Sequence, residues 1–187
     1  MSPPWEEFHR QRRLVDQMMT MHALLRDRYR RRRLSLLLGT LALAVLGAGF
    51  AFASNAGRVT IAGISGRRDT WLGVLSLAIL FLTVTDLVTD WAGRSREHKQ
   101  AVSSLARLKA EFRDVPSPVA TTDVPPPTLA VRYNDTMDSL PGIPERAFNP
   151  LKARHLRKVA VSRQLSASPG APAWLIMVRV IRAAARK

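Results

Sequence analysis

Two long apolar runs constrain the fold more than any other feature of this 187-residue sequence. Residues 34–53 carry no charged side chain, and only Ser35 and Thr40 place hydroxyl groups in the run. A helix of this length rises by about 30 Å, which matches the hydrocarbon thickness of a bilayer. An amphipathic helix of a water-soluble protein has a polar stripe at 3.6-residue spacing, and this run lacks one. It therefore predicts a first transmembrane helix.

The second apolar run, residues 71–91, begins and ends with tryptophan, a residue favoured at both membrane–water interfaces. If the two tryptophans mark the interfaces, Asp90 lies at one of them and Asp86 lies about 6 Å inside it. A charge at the bilayer centre costs about 2.5–3.5 kcal/mol, and a charge near the edge costs less. The run therefore predicts a second transmembrane helix with an acidic end.

The remaining sequence divides around these two predicted spans. Apolar residues at helical spacing run from Trp5 to Tyr29 and again from Ala101 to Phe112, and five prolines lie in residues 116–128. The fold class that we predict is an all-α membrane protein, a two-span transmembrane hairpin with long cytoplasmic helical extensions. The predicted segments are a basic amphipathic helix at 1–33, a first span at 34–53, an extracytoplasmic loop at 54–70, a second span at 71–91, a helical extension at 92–114, a Pro-rich linker at 115–128 and a basic C-terminal segment at 129–187, with short helices expected at 129–140 and 151–165.

The distribution of cations predicts the orientation of the spans. Six arginines in residues 26–33 precede the first span, three cations follow the second in residues 94–99, and three arginines lie in the connecting loop. The flanks therefore outweigh the loop, so both termini should be cytoplasmic. A cleaved twin-arginine secretion signal is the alternative, since an Ala-x-Ala site ends the first run. The residues that precede the run, about 33 of them, argue against it, and N-terminal sequencing decides.

Charge and motifs limit the function classes. The net charge of +15 suits an anionic membrane or nucleic acid, but no nucleic-acid-binding signature is present. Without cysteine there is no disulfide, thiolate zinc site or thiol nucleophile. The four histidines lack metal-ligand spacing, and neither a Gly-rich phosphate loop nor a G-x-S-x-G motif occurs. The sequence therefore predicts no enzyme, no metal and no cofactor, and it disfavours a nucleic-acid partner.

A polar seam follows one face of the second predicted span. In a ring of subunits its two carboxylates would stack as acidic rings, the arrangement of cation-passing pores. Alternatively, Asp90 pairs with Arg94, and Asp86 bonds a neighbouring helix or interfacial water. Both interpretations stay open from the sequence. The pore-lining candidates are Ser76, Thr83, Asp86 and Asp90, and Glu97 continues the seam.

Small residues on the first predicted span indicate close helix contacts. Gly47 with Ala51, and Ala44 with Ala48, form small-xxx-small pairs, which allow two helix backbones to approach. The pattern is compatible with packing inside the hairpin and with contacts between copies. A homo-oligomer in a lipid bilayer is the predicted assembly.

Three segments together resemble the SLATT family, bacterial two-span effector domains found with SMODS nucleotidyltransferases and SLOG nucleotide sensors. They are "DRYRRRRLSLLLG", "AGRSREHKQAVSSLARLKAEF" and "YNDTMDSLPGIPERAFNPLKARH". The resemblance covers residues 27–155. Tyr29 matches a tyrosine before the first span, and His98 matches a histidine early in the cytoplasmic helix. Family members often have an aromatic residue two turns after that histidine, and this chain has Leu105 at that position.

The resemblance implies a function in the bacterial inner membrane. The family is thought to form pores that depolarise the membrane when a defence system senses a phage, which kills or arrests the cell. A nucleotide second messenger and a partner nucleotidyltransferase or nucleotide-sensing protein are the implied trigger. The alternative is a membrane-anchored adaptor whose basic cytoplasmic part holds an acidic partner or nucleic acid.

Overall fold

The computed structural model describes residues 3–52, 58–61, 64–116, 125–168, 170 and 172–184. The chain is mostly helical and forms two compact units. We call residues 26–96 the hairpin unit, and residues 1–25 with 97–187 the terminal unit. The elements in chain order are α1 (Pro3–Phe52), β1 (Arg58–Ile61), β2 (Ile64–Arg67), α2 (Arg68–Thr89), α3 (Trp91–Asp114), α4 (Pro127–Asp138), α5 (Glu145–Ala167) and α6 (Ala173–Ala184).

The hairpin unit contains a strand pair that the all-α prediction lacks. Strands β1 and β2 pair antiparallel, with Arg58 opposite Arg67 and Ile61 opposite Ile64. The short runs RVTI and ISGR contain β-branched residues, which favour extended backbone. The expected loop at 54–70 therefore includes a small two-stranded sheet. Its residues 54–57 and 62–63 lie outside the described part of the chain, and α2 begins at Arg68 rather than at Trp71.

The second half of α1 precedes this sheet in the chain and α2 follows it, and the two helices run antiparallel to each other. Near the sheet, the Arg68 guanidinium donates a hydrogen bond to the backbone carbonyl of Ala51. In the middle of the helices, a Cβ added at Gly39 would lie 4.0 Å from Leu82 Cδ1, which is ordinary van der Waals contact. The two apolar runs therefore form the helical hairpin that their lengths predict.

Asp90 separates α2 from α3. Its backbone has φ 40° and ψ 50°, and no other non-glycine residue in the described ranges has positive φ. Aspartate adopts this left-handed conformation more readily than most side chains because its carboxylate bonds the local backbone. Here Asp90 Oδ1 accepts a hydrogen bond from the Gly93 N–H at 2.9 Å, as an N-cap does. The single long helix expected to continue from the second run is therefore divided at Asp90.

The core of the terminal unit joins the start of α1, α3 and α4. The Phe8 and Phe112 rings lie 5.1 Å apart between centroids, and Asp16 pairs with Lys109 at 2.6 Å beside them. Each large apolar side chain buried here stabilises the fold by about 1.5–3 kcal/mol. The helical stripes expected on α1 and α3 are confirmed. The buried cluster consists of Trp5, Phe8, Val15, Leu105, Leu108, Phe112 and Leu129.

The C-terminal helices differ from the sequence expectation at their beginnings. Helix α4 begins at Pro127 because proline is tolerated in the first turn, where the N–H has no helical partner. The last residues of the expected linker are therefore helical, whereas 117–124 lie outside the described residues. Helix α5 begins at Glu145, before the expected 151–165, and contains Pro150. Ala147 and Leu151 are the residues through which α5 is buried.

Candidate membrane hairpin

The two long helices of the hairpin unit expose apolar surface along their length. By length and composition, both are apolar enough to cross a membrane, and the most apolar stretch of each contains no buried residue. Leu38 is 64 % exposed on α1, and Phe81 and Leu87 are 69 % and 80 % exposed on α2. A soluble protein rarely exposes a continuous apolar surface of this kind. The surface therefore requires a lipid or protein environment.

Five hydroxyl groups within these helices bond the backbone of their own helix. Thr83 Oγ1 donates to the Ile79 carbonyl at 2.8 Å, and Thr40 Oγ1 donates to the Leu36 carbonyl at 3.0 Å. An unpaired hydroxyl is unfavourable in hydrocarbon because water cannot replace the missing partner. The same one-turn bond is made by Ser35, Thr85 and Thr89. These five hydroxyl groups therefore need no partner from outside their own helix.

The predicted pore-lining residues lie on α2 and at its end. Ser76 and Thr83 are exposed, and Asp86 is half-buried one turn before Asp90. Asp90 is exposed, and its carboxylate caps α3 by bonding Gly93 rather than pairing with Arg94, which was one of the two alternatives left open by the sequence. A single copy therefore gathers two carboxylates at one end of the hairpin.

The side chains of the small residues predicted for helix packing are exposed or meet open space in a single copy, although the Ala51 carbonyl accepts a hydrogen bond from Arg68. A Cβ added at Gly47 would have no atom within 4 Å, whereas Gly39 faces Leu82. Ala44, Ala48 and Ala51 are exposed. Of these two glycines, Gly39 therefore faces α2, and the Gly47 face of α1 is left open for a contact with another molecule.

The end of the hairpin opposite the sheet carries an arginine collar, which we define as the six arginines of residues 26–33. Arg32 lies over the Trp91 ring, 5.9 Å from its centroid, a cation–π contact. Ser95 Oγ donates to the Arg26 carbonyl at 3.3 Å, which ties the start of α3 to α1. The collar therefore lies at the same end of the hairpin as Asp86 and Asp90.

The two residues matched to the SLATT pattern are both buried. Tyr29 is 8 % exposed in the hairpin unit. His98 is 4 % exposed in the terminal unit, where its Nδ1 lies 3.0 Å from Nδ1 of the fully buried His22. Burial lowers the pKa of both histidines. The pKa of His22 falls to about 4, because the charge of a protonated His98 beside it also disfavours protonation. This pair could not be predicted from sequence spacing, because 76 residues separate its members.

Metal binding finds no support in the described ranges, where no group of three or more histidine, aspartate or glutamate side chains is placed to hold an ion.

The fold and the hairpin together define the class of the protein. It is a mostly helical protein with two helices long and apolar enough to cross a membrane. Comparisons with protein-family models, with curated proteins and with solved structures find no match to this chain.

Proposed function

We propose that the protein spans the bacterial inner membrane twice, with both termini in the cytoplasm. The exposed apolar surface of α1 and α2 supports this proposal most directly. In water that surface is unfavourable by about 25 cal/mol per Å², and lipid removes the penalty. The arginine collar then faces the cytoplasm, as the positive-inside rule requires.

In this membrane the protein acts as a pore-forming effector of an anti-phage defence system. Several copies assemble through the open Gly47 face of α1 and bring their α2 helices around a common axis. Asp86 and Asp90 then form two acidic rings at the cytoplasmic mouth and attract cations. Ion flow depolarises the membrane and kills or arrests the cell. The resemblance to SLATT effectors supports this assignment beside the exposed hairpin.

Gating belongs to the terminal unit. Its packed helices hold the protein in a closed or monomeric arrangement until a signal favours the assembled ring. A partner nucleotidyltransferase or nucleotide-sensing protein supplies that signal, or a nucleotide messenger does so directly. The signal shifts the equilibrium only by its difference in affinity for the two arrangements.

A membrane-anchored adaptor without a pore is the second candidate function. One observation favours it: the exposed face of α5 is rich in cations, including Lys152, Arg154 and Arg157. Such a face attracts an acidic partner or nucleic acid by long-range electrostatics. An adaptor needs the hairpin only as an anchor, so its acids are dispensable and the terminal unit is not.

Membrane potential separates these two functions. Bacteria that express the chain are followed with a voltage-sensitive dye, beside cells that express a truncation ending at residue 115. A pore predicts depolarisation by the full chain once it is triggered or overexpressed. If the full chain inserts and causes cell arrest together with its defence partners, yet the membrane potential stays at the control level, the pore is excluded in favour of the adaptor.

Topology is tested separately by cysteine labelling, since the native chain has no cysteine. Asp69→Cys lies at the start of α2 beside the sheet, and Gln100→Cys lies exposed on α3. In intact spheroplasts, a membrane-impermeant maleimide should label Asp69→Cys at once and Gln100→Cys only after lysis. Labelling of both positions or the reverse order contradicts the proposed orientation.

A further inference from the structure

A cavity of about 650 Å³, open to solvent on one side, lies in the terminal unit between the N-terminal part of α1 and α5. Ligand sites for small molecules typically have volumes of about 300–1,000 Å³. At one side of the cavity, His155 Nδ1 lies 3.1 Å from Thr20 Oγ1, which joins α5 to α1. The cavity is therefore a formed space within one unit.

Positive charge dominates the lining. One carboxylate, that of Asp16, lines the cavity and is already bonded to Lys109 at 2.6 Å. Arg10 is held at 2.7 Å by Glu7. Within the described ranges, three further lining cations have no carboxylate partner. They are Arg13 from α1 with Lys158 and Arg163 from α5.

These three cations enter the cavity from opposite walls. Two helices that each direct cations into one concave space repel each other there, and an anion between them removes the repulsion. Arginine is suited to phosphate because its planar guanidinium donates two parallel hydrogen bonds. Burial lowers the pKa of His155, so the imidazole at the edge is neutral near pH 7 and supplies hydrogen bonds rather than charge.

The rest of the lining is apolar or uncharged. Leu14, Met19 and Val159 provide apolar surface, and Gln17 and Ser162 provide hydrogen-bonding groups. This mixture suits a ligand that has a charged phosphate part and an uncharged ring. A simple inorganic anion leaves the apolar wall without a partner.

We propose that this cavity binds a phosphate-bearing small molecule with a ring or apolar part, the chemistry of a nucleotide. The proposal rests on the proposed function for its role, because it names the site in the terminal unit where a nucleotide signal acts, whereas binding itself does not require ion conduction. The bound anion neutralises Arg13 against Lys158 and Arg163, which draws α1 and α5 together. A phospholipid headgroup shares the phosphate chemistry, and the experiment distinguishes the two sources.

The test is calorimetric titration of the purified full chain in detergent micelles. The probes are ATP, AMP, adenosine, pyrophosphate and added phosphatidylglycerol. Binding should strengthen from AMP to ATP, be undetectable for adenosine, and weaken as salt is raised. If phosphatidylglycerol displaces ATP from the cavity, phosphate recognition is supported and the lipid is the stronger source. If no probe binds, the proposal is wrong.

Matched variants locate the binding. Replacing Arg13, Lys158 and Arg163 together with glutamine should weaken ATP binding at least about tenfold, because charge-assisted bonds are lost. The matched control replaces three exposed cations outside the cavity, Arg107→Gln, Arg154→Gln and Arg157→Gln, and should change affinity by less than about twofold. Equal weakening by both triple variants overturns the proposal.

A second variant, which keeps all the cations, controls for misfolding of the triple glutamine variant. Ser162→Trp places a large ring in part of the cavity and leaves every cation in place, so it should weaken ATP binding at least about tenfold while the helix content stays unchanged. If ATP still binds to Ser162→Trp with the affinity of the native chain, the ligand lies elsewhere. Membrane potential is measured separately, so loss of the pore and loss of ligand binding are distinguishable.

Discussion

The carboxylate of Asp90 accepts a hydrogen bond from the backbone N–H of Gly93 at 2.9 Å. This bond caps the start of α3 at the point where α2 ends. Replacing Asp90 with alanine removes this cap and places a Cβ-bearing side chain without a local bond in a left-handed conformation. We expect Asp90→Ala to lower the free energy of unfolding by about 1–2 kcal/mol. Thermal unfolding in detergent, followed by circular dichroism, measures the change, and Asp90→Asn should stay close to the native value.

Gly93 is the second half of this cap. A Cβ at position 93 would lie against the Asp90 carboxylate, closer than van der Waals contact permits. Gly93→Ala should therefore displace the carboxylate and destabilise the protein by about 1 kcal/mol. The matched control is Gly73→Ala on α2, where a new Cβ meets no atom within 4 Å and alanine favours the helix. Equal stability of the two variants would show that the cap does not hold α3.

Periodicity explains which parts of this fold could be predicted. The two uncharged runs and the apolar stripes of α1 and α3 depend on local spacing, and the structure places them as helices. The break at Asp90 depends on one residue with left-handed backbone and on one cap. An aspartate within a helical pattern does not predict either feature. The small sheet depends on pairing between two four-residue strands, too short for an alternating pattern to be distinctive.

The parts of the candidate sites that the sequence missed depend on distant contacts. His22 and His98 meet across 76 residues, so neither stands in a recognisable motif. The three cations proposed to bind phosphate come from α1 and α5, and each helix alone has the pattern of an ordinary basic surface. Small-residue spacing indicated contacts at Gly47 without saying whether they lie within the hairpin or between copies, and it did not indicate that Gly39 faces Leu82, because spacing alone does not identify the neighbour of a helix face.

The buried histidine pair makes stability depend on pH. The folded protein keeps His22 neutral, with a pKa lowered to about 4 from an ordinary 6.5, whereas the unfolded chain takes up a proton as the pH falls below 6.5. The free energy of unfolding should therefore decrease as the pH falls from about 6.5 towards about 4, by an amount on the order of 3 kcal/mol for His22. The melting temperature measured from neutral pH to about pH 5 follows this loss.

A double variant isolates the contribution of this pair. His22→Gln with His98→Gln keeps polar groups at both positions and removes the protonation equilibrium. Its melting temperature should be lower at neutral pH but should change less with pH than that of the native chain. His9→Gln is the control, since that histidine lies outside the pair. If the double variant keeps the native pH dependence, the groups responsible lie elsewhere.

Gly39 and Gly47 should respond differently to a larger side chain. Leucine at 39 must displace Leu82, because even a Cβ there is in van der Waals contact, so Gly39→Leu should weaken the hairpin itself. Leucine at 47 meets open space in one copy, so Gly47→Leu should keep the helix content and stability while reducing assembly. Cross-linking in membranes measures assembly. Unchanged assembly of Gly47→Leu would mean that copies meet through another face.

The two carboxylates provide the strictest test of ion conduction, provided that their structural role is kept. Asp86→Asn with Asp90→Asn removes both charges from the mouth but retains an amide that can cap α3. A cation pore predicts that this variant inserts and assembles as the native chain does, yet depolarises cells at least about tenfold less, because the acidic rings no longer concentrate cations. Asp90→Ala is unsuitable here, since its loss of the cap also disturbs the fold.

The control is Asp69→Asn, which removes an exposed acid at the opposite end of α2. If Asp86→Asn with Asp90→Asn depolarises as strongly as Asp69→Asn, these carboxylates do not line the ion path.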